Sequence, residues 1–199
     1  MSTDQVAATL AVVLVLGAAA VWLSATAGRL DRLHIRLATA RASLERQLVE
    51  RAAATADVAH SGALDPAAAV LLLSAADGAR AAARRDAAHR AGGPPVDPGE
   101  RAVAESALST DLRAVLGAPA DVEQAWSDRA ACPLLVDLAA ACGRVRLARH
   151  FHDDLVARTR AVRRRSVVRW AHLAGHAGWP ESLDLDDEPP AALLEVAER

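Results

Sequence analysis

The segment His150-Phe151-His152-Asp153-Asp154 is the densest group of chemistry-bearing side chains in the sequence. On a helix, His150 shares a face with Asp153 and Asp154, three and four residues on. An imidazole and a carboxylate in that register could hold a divalent metal. A catalytic zinc site wants three protein ligands, and no third stands nearby. His60 and His89 serve only if the fold delivers them. The plainer reading is a polar helix face on which His150 pairs with an acid. The sequence therefore assigns no catalytic residue, no metal ligand set and no cofactor.

A second cluster is cationic. Arg158, Arg160, Arg163, Arg164, Arg165 and Arg169 form one run, with Trp170 directly after it and Trp179 further on. Arg29, Arg32 and Arg36 form another. Lysine is absent, so all 23 basic residues are arginine. Together with the abundance of alanine, this looks like GC-rich codon usage, and arginine frequency by itself signals no function. The net charge of −2 gives no global case for nucleic-acid binding. Nucleotide hydrolysis has no support either: no GxxxxGK[ST] loop and no GxGxxG turn occurs.

These clusters are positioned by what precedes them. Gln5 to Gly28 reads QVAATLAVVLVLGAAAVWLSATAG and carries no charge. About 20 apolar residues suffice for a helix to cross a bilayer core of roughly 30 Å. Only Asp4 and the amino terminus stand before this stretch, whereas Arg29, Arg32 and Arg36 follow it. Basic flanks stay on the cytoplasmic side. The expected arrangement is a single-pass membrane protein with its N-terminus outside and its C-terminal domain cytoplasmic. The rival is an exported envelope protein, cleaved after Ala27 at the small-x-small pattern Ala25-Thr26-Ala27. The leader MSTDQ lacks the positive n-region of a signal peptide, and the apolar run exceeds the usual length of its core.

The remainder predicts an all-α protein, because alanine favours helix while β-branched and aromatic residues favour strand. Leu30, Leu33, Leu37, Ala40 and Leu44 recur three and four apart, and Gln47 and Arg51 fall on the same seam. This first helix, continuing from the apolar stretch, should stop at Ser61-Gly62. Asp65-Pro66 opens a second helix, weakened at Gly78 and bounded by the loop Gly92 to Pro98. Asp97-Pro98 should open a third, with Glu100 at the capping-box position. Its apolar positions are Val103, Leu108, Leu112, Val115 and Leu116, and Gly117 and Pro119 end it. After a break at Pro133, a fourth helix should run to about Ala174. Its seam is Leu134, Leu138, Ala141, Val145, Ala148, His152, Leu155, Thr159 and Val162. Cys132 and Cys142, ten residues apart on one helix, stand about 15 Å from each other, too far for a disulfide.

Short links favour antiparallel neighbours. The expected fold is thus an N-terminal transmembrane helix continuing into an elongated antiparallel bundle of four-helix type. Residues 1–28 form the anchor, 29–176 the cytoplasmic bundle, and 177–199 a loose, acidic, Pro-containing tail with a short last helix from Ala191. This topology returns the end of the fourth helix to the start of the first. Arg29, Arg32, Arg36, Arg158, Arg160, Arg163, Arg164, Arg165, Arg169 and Trp170 would then face the membrane surface, where anionic headgroups attract bases and tryptophan favours the interface.

Two stretches resemble the LemA family of bacterial membrane proteins. Arg29 to Ala52, RLDRLHIRLATARASLERQLVERA, has a Leu-rich helix just past the anchor, an acid at Glu45, then Gln47-Leu48 and Arg51. Cys142 to Val162 carries the family's N-R-I-x-x-A-R-x-x-Y-N-D-x-V pattern as Gly143, Arg144, Val145, Ala148, Arg149, His152, Asp153, Asp154 and Val156. The sequence departs from the family at Arg41, where a Trp is usual, and at His152-Asp153 and Thr159-Arg160, where Tyr-Asn pairs are usual. The resemblance implies a membrane-anchored antiparallel bundle and no established enzymatic activity. It also draws attention to Glu45, Gln47, Arg51, Arg144, Arg149, Asp153 and Asp154. If buried, they must find partners, because an unpaired buried charge is costly. They would form a cross-bundle polar network, with Arg51–Asp154 as one possible pair.

The function these readings favour is a non-enzymatic, membrane-anchored scaffold or adaptor. It would act through protein–protein contacts, with itself or with another protein, and hold its basic helix end against anionic lipid. Neither a nucleic acid nor a small-molecule substrate is expected. The competing reading is a metal-dependent module or enzyme built on the HFHDD segment.

Overall fold

A computed structural model describes residues 3–97, 99–165 and 178–197. Among these residues the chain is all-α. Six helices follow in order: α1 (Thr3–His60), α2 (Pro66–Arg90), α3 (Glu100–Leu116), α4 (Pro119–Trp126), α5 (Cys132–Arg163) and α6 (Ala191–Ala197). Two compact units divide the chain. The first is Met1–Thr39 with Asp154–Glu181, and the second is Ala40–Asp153 with Ser182–Arg199.

Most helix ends follow from local chemistry. Gly62 ends α1 with φ +81°, in the left-handed region that costs glycine little. At the start of α2, the Asp65 carboxylate accepts from the Ala67 and Ala68 amides, two of the donors that a helix N-terminus leaves open. The far end of α2 is a Schellman turn: Gly92 at φ +92° donates to His89 O, and Gly93 donates to Ala88 O. The helix runs unbroken through Gly78. Pro133 sits in the first turn of α5, where its missing N–H leaves no bond unmade.

Two boundaries differ from the expectation. Asp97 does not cap α3; its carboxylate accepts from the Gly99 amide in a local turn, and Gly99 occupies the cap position. Glu100, freed from a capping box, pairs with Arg85 and ties the end of α2 to the start of α3 in an antiparallel hairpin. α5 ends at Arg163 rather than near Ala174. There Arg165 N bonds Val162 O, three residues back, which tightens the last turn. The remainder of the expected helix falls in 166–177, outside the described residues.

In the second unit all six helices contribute to one core. Alanines on α1 and α2 (Ala52, Ala56, Ala76, Ala79) let helices approach closely. Leu108 and Leu112 of α3 and Leu135 and Leu138 of α5 fill the space between them. A smaller cluster joins Leu44 and Leu48 of α1 to Val145 of α5 and to Leu185. The C-terminal segment is not loose: Leu185 is buried in this cluster, and Leu193 of α6 is fully buried in the main core. Its acids hide the apolar positions Leu183, Leu185, Leu193 and Leu194, which pack together with the bundle.

One expected core residue faces water. Val103 is 70 % exposed, because the inward face of α3 is Arg101, Glu105, Leu108, Leu112 and Leu116, at spacings of four and three. In the first unit, the apolar stretch of α1 is exposed along Leu10 to Val21, and none of it is buried within the chain. That helix is long and apolar enough to cross a membrane.

Candidate functional site

In the first unit, α1 and α5 bring arginines together. Arg29, Arg32, Leu33 and Arg36 follow the i, i+3, i+4, i+7 rule for one helix face. Arg158, Ala161 and Val162 of α5, with Arg165 in the turn just after it, repeat that spacing. Leu30 of α1 packs on Val162, with Leu33 against the pair. These eight residues from Arg29 to Arg36 and Arg158 to Arg165 line one cavity of about 350 Å³. Arg158 is held by Asp154 at 2.8 Å. Among the described residues, the side chains of Arg29, Arg32, Arg36 and Arg165 make no hydrogen bond or ion pair. Asp31 lies on the opposite side of α1 by helical period.

The six-arginine run therefore splits. Arg160 donates to Pro180 O at 2.7 Å, and Arg163 donates to Gly178 O. Arg163 also lies over the Trp179 ring, 5.1 Å from its centroid. These two hold the 178–180 segment and do not line the cavity. Arg164 is exposed. Arg169 and Trp170, both expected at the membrane surface, lie outside the described residues.

The second unit holds a different arginine site. Arg51 and Glu105 are each 1 % exposed. Arg51 Nη2 donates to Glu105 Oε2 at 2.9 Å and Nη1 donates to Ser109 Oγ at 2.9 Å. Arg101 approaches the other carboxylate oxygen of Glu105 at 2.8 Å. Ser109 passes its own proton to Asp186 O at 2.7 Å. Thus a buried carboxylate between two guanidiniums joins α1 to α3, and the serine extends the network to the C-terminal segment. The expected Arg51–Asp154 pair does not form; Asp154 takes Arg158 and Arg51 takes Glu105.

Sequence reasoning missed Arg101, Glu105 and Ser109. Arg101 and Glu105 look like an ordinary i, i+4 surface pair, and the available signal was their register with Leu108, Leu112 and Leu116. The other expected network members are shallower. Gln47 accepts from Arg144 Nε at 2.9 Å, and Glu45 meets Arg41 and Arg90 at 3.1 and 3.0 Å. Arg149 bridges Asp187 at 2.6 Å and Asp153 at 3.5 Å. Arg113 pairs with Asp186. The hydrogen bond from Arg113 holds the Asp186 carboxyl below its ordinary pKa, and Asp186 in turn raises that of Arg113.

No family profile, curated protein or solved structure matches the chain. Its reading therefore rests on its own residues.

HFHDD disperses in the structure. His152 is buried, with Nδ1 3.3 Å from Asp153 Oδ1. His150 is exposed and lines an open cavity of about 520 Å³ with Arg146, Arg149, Asp153 and Asp187. His60 donates from Nδ1 to Ala56 O, and His89 donates to Pro94 O. Neither becomes a third ligand; among the described residues no three His, Cys, Asp or Glu side chains converge. Both cysteines are free thiols on α5. Burial pushes the Cys142 thiol pKa up, partly offset by Arg51 and Arg144.

Proposed function

We propose that this protein is a membrane-tethered helical scaffold without catalytic activity of its own, related in plan to LemA-like proteins. Its N-terminal helix spans the bilayer with the N-terminus outside, and the bundle works in the cytoplasm. The observation that carries this reading is the order of features along α1. An uncharged stretch, exposed from Leu10 to Trp22, ends at Gly28, and an arginine-lined cavity begins at Arg29. A lipid-facing helix followed by a headgroup-level ring of bases needs that order.

Partner binding has a separate support. On α5, Val136, Ala140, Gly143, Leu147 and Phe151 are all exposed and spaced four, three, four and four apart. A Cβ added at Gly143 would meet nothing within 4 Å, so that position is open to an approaching backbone. An apolar stripe with small residues at its centre suits a helix laid along it.

The test pairs two reporters fused after Arg199, one active only in the cytoplasm and one active only outside. The expected result is a cytoplasmic signal from a full-length, membrane-bound product. An outside signal overturns the orientation, and a shortened product overturns the retained anchor. Photocrosslinkers at Leu147 and Phe151 should then capture a discrete adduct, and one at Asp121 should not.

A further inference from the structure

We propose that Arg29, Arg32, Arg36, Arg158 and Arg165 form a discrete site for the phosphate of one anionic membrane phospholipid. This rests on the membrane-spanning reading of α1 and goes beyond a general attraction of bases for the leaflet.

Three observations converge. First, the guanidiniums come from two chain segments more than a hundred residues apart, yet line one cavity. Four of them lack any partner among the described residues. The arginines buried or half-buried in the second unit find acids: Arg51, Arg101, Arg113 and Arg149 all do. A converging set left without an anion calls for one from outside, and guanidinium forks match phosphate bidentately.

Second, the floor is aliphatic. Leu33, Ala161 and Val162 lie between the bases. That surface suits the glycerol and first methylenes of a lipid. Among the described residues no aromatic ring lines the cavity, so none of them offers a nucleobase a surface to stack on.

Third, position selects the source of the phosphate. Arg29 directly follows Gly28, the last residue of the uncharged stretch. One turn past a membrane span is the depth at which headgroup phosphates lie. A lipid seated there would run its chains along the exposed face of α1. The same phosphate chemistry offered by a soluble anion would lack that second contact.

A smeared electrostatic patch and a built site behave differently. A patch responds to total charge and accepts lysine for arginine. A built site saturates at one lipid and loses affinity when the forked donors are replaced. The test uses the full chain in a mild neutral detergent, with retained lipid counted by native mass spectrometry. The probe is phosphatidylglycerol titrated against phosphatidylcholine.

We expect one phosphatidylglycerol retained per chain. Arg32→Gln with Arg165→Gln should weaken retention at least tenfold, and Arg32→Lys with Arg165→Lys should weaken it severalfold despite unchanged charge. Arg146→Gln, an exposed control in the second unit, should leave retention unchanged. Helicity by circular dichroism checks each variant; if the Gln pair loses its fold, the charge-conserving Lys pair carries the decision. Retention insensitive to Arg→Lys, or rising past one lipid in proportion to anionic content, overturns the site. Competition by glycerol phosphate at concentrations comparable with the lipid overturns the lipid as its ligand. Failure of the anchor reading is separable: it sends the chain to the soluble fraction on carbonate extraction. A chain that stays in the membrane without retaining the lipid overturns this proposal alone.

Discussion

Two groups of arginines in this chain do opposite things. In the second unit, Arg51 and Arg101 flank one buried carboxylate, Glu105, and every step of that network lies inside the bundle. In the first unit, Arg29, Arg32, Arg36 and Arg165 line an open cavity with no acid among its described lining residues. The difference is one of solvent. Removing an ion from water costs several kcal/mol in a protein interior, so a buried arginine requires its partner. Two exposed guanidiniums about 8 Å apart repel by only about 0.5 kcal/mol in water, so a cationic cavity can stand ready for a ligand. Identical side chains thus become a structural bolt in one place and, in the proposal above, a receptor in the other.

The contrast breaks most directly at Glu105. Glu105→Ala strands two buried guanidiniums, and we expect a loss of about 3–5 kcal/mol of stability, read by urea unfolding of the full chain in detergent. Arg32→Gln should change the same measurement by no more than about 0.5 kcal/mol. Equal losses would show that the cavity is structural too.

Leu193→Ala should cost about 2–5 kcal/mol, because Leu193 is fully buried in the main core. A loss near zero would mean that the C-terminal segment is dispensable to the bundle. Ser109→Ala should cost about 1–3 kcal/mol by leaving Arg51 Nη1 and Asp186 O without their shared hydroxyl. A cycle with Glu105→Ala should be non-additive, since both changes act on Arg51.

A smaller loss than these is expected on the acid limb. Asp186 titrates lower in the folded chain than in the unfolded one, because Arg113 binds its charged form. Its stabilisation is full above the unfolded carboxylate value of about 3.9 and fades as pH falls through the lower folded value. The pair is partly exposed, so screening limits it to about 1 kcal/mol. In Arg113→Ala the stability difference from wild type should shrink as pH drops below about 4. A difference constant across that range would exclude the pair as its source.

Much of the fold was legible. The Leu30–Arg51 seam, the Asp65-Pro66 start, the Gly62 stop and the seam of α5 rest on local rules that act within a few residues. The α5 seam is buried at Leu138, Ala141, Val145, His152, Thr159 and Val162. What could not be read was which charges lie inside. Arg101 and Glu105 have the spacing of a surface pair, and HFHDD has the spacing of a metal site; both were decided by neighbours from other helices. The acidic C-terminal segment was misread as loose for the same reason. Its leucines needed the groove formed by other elements before they could pack.

The sequence by itself determined that the chain is helical, where most helices start and stop, and that one uncharged stretch is long enough to cross a bilayer. These depend on backbone propensity, caps and composition, all local. Only the tertiary structure decided that Arg51 is a bolt, that Arg160 and Arg163 hold their own chain, and that Arg158 and Arg165 share a cavity with Arg29, Arg32 and Arg36. The reason is physical: the state of a charge depends on its solvent and its counter-charge, and both are supplied by residues far away in the chain.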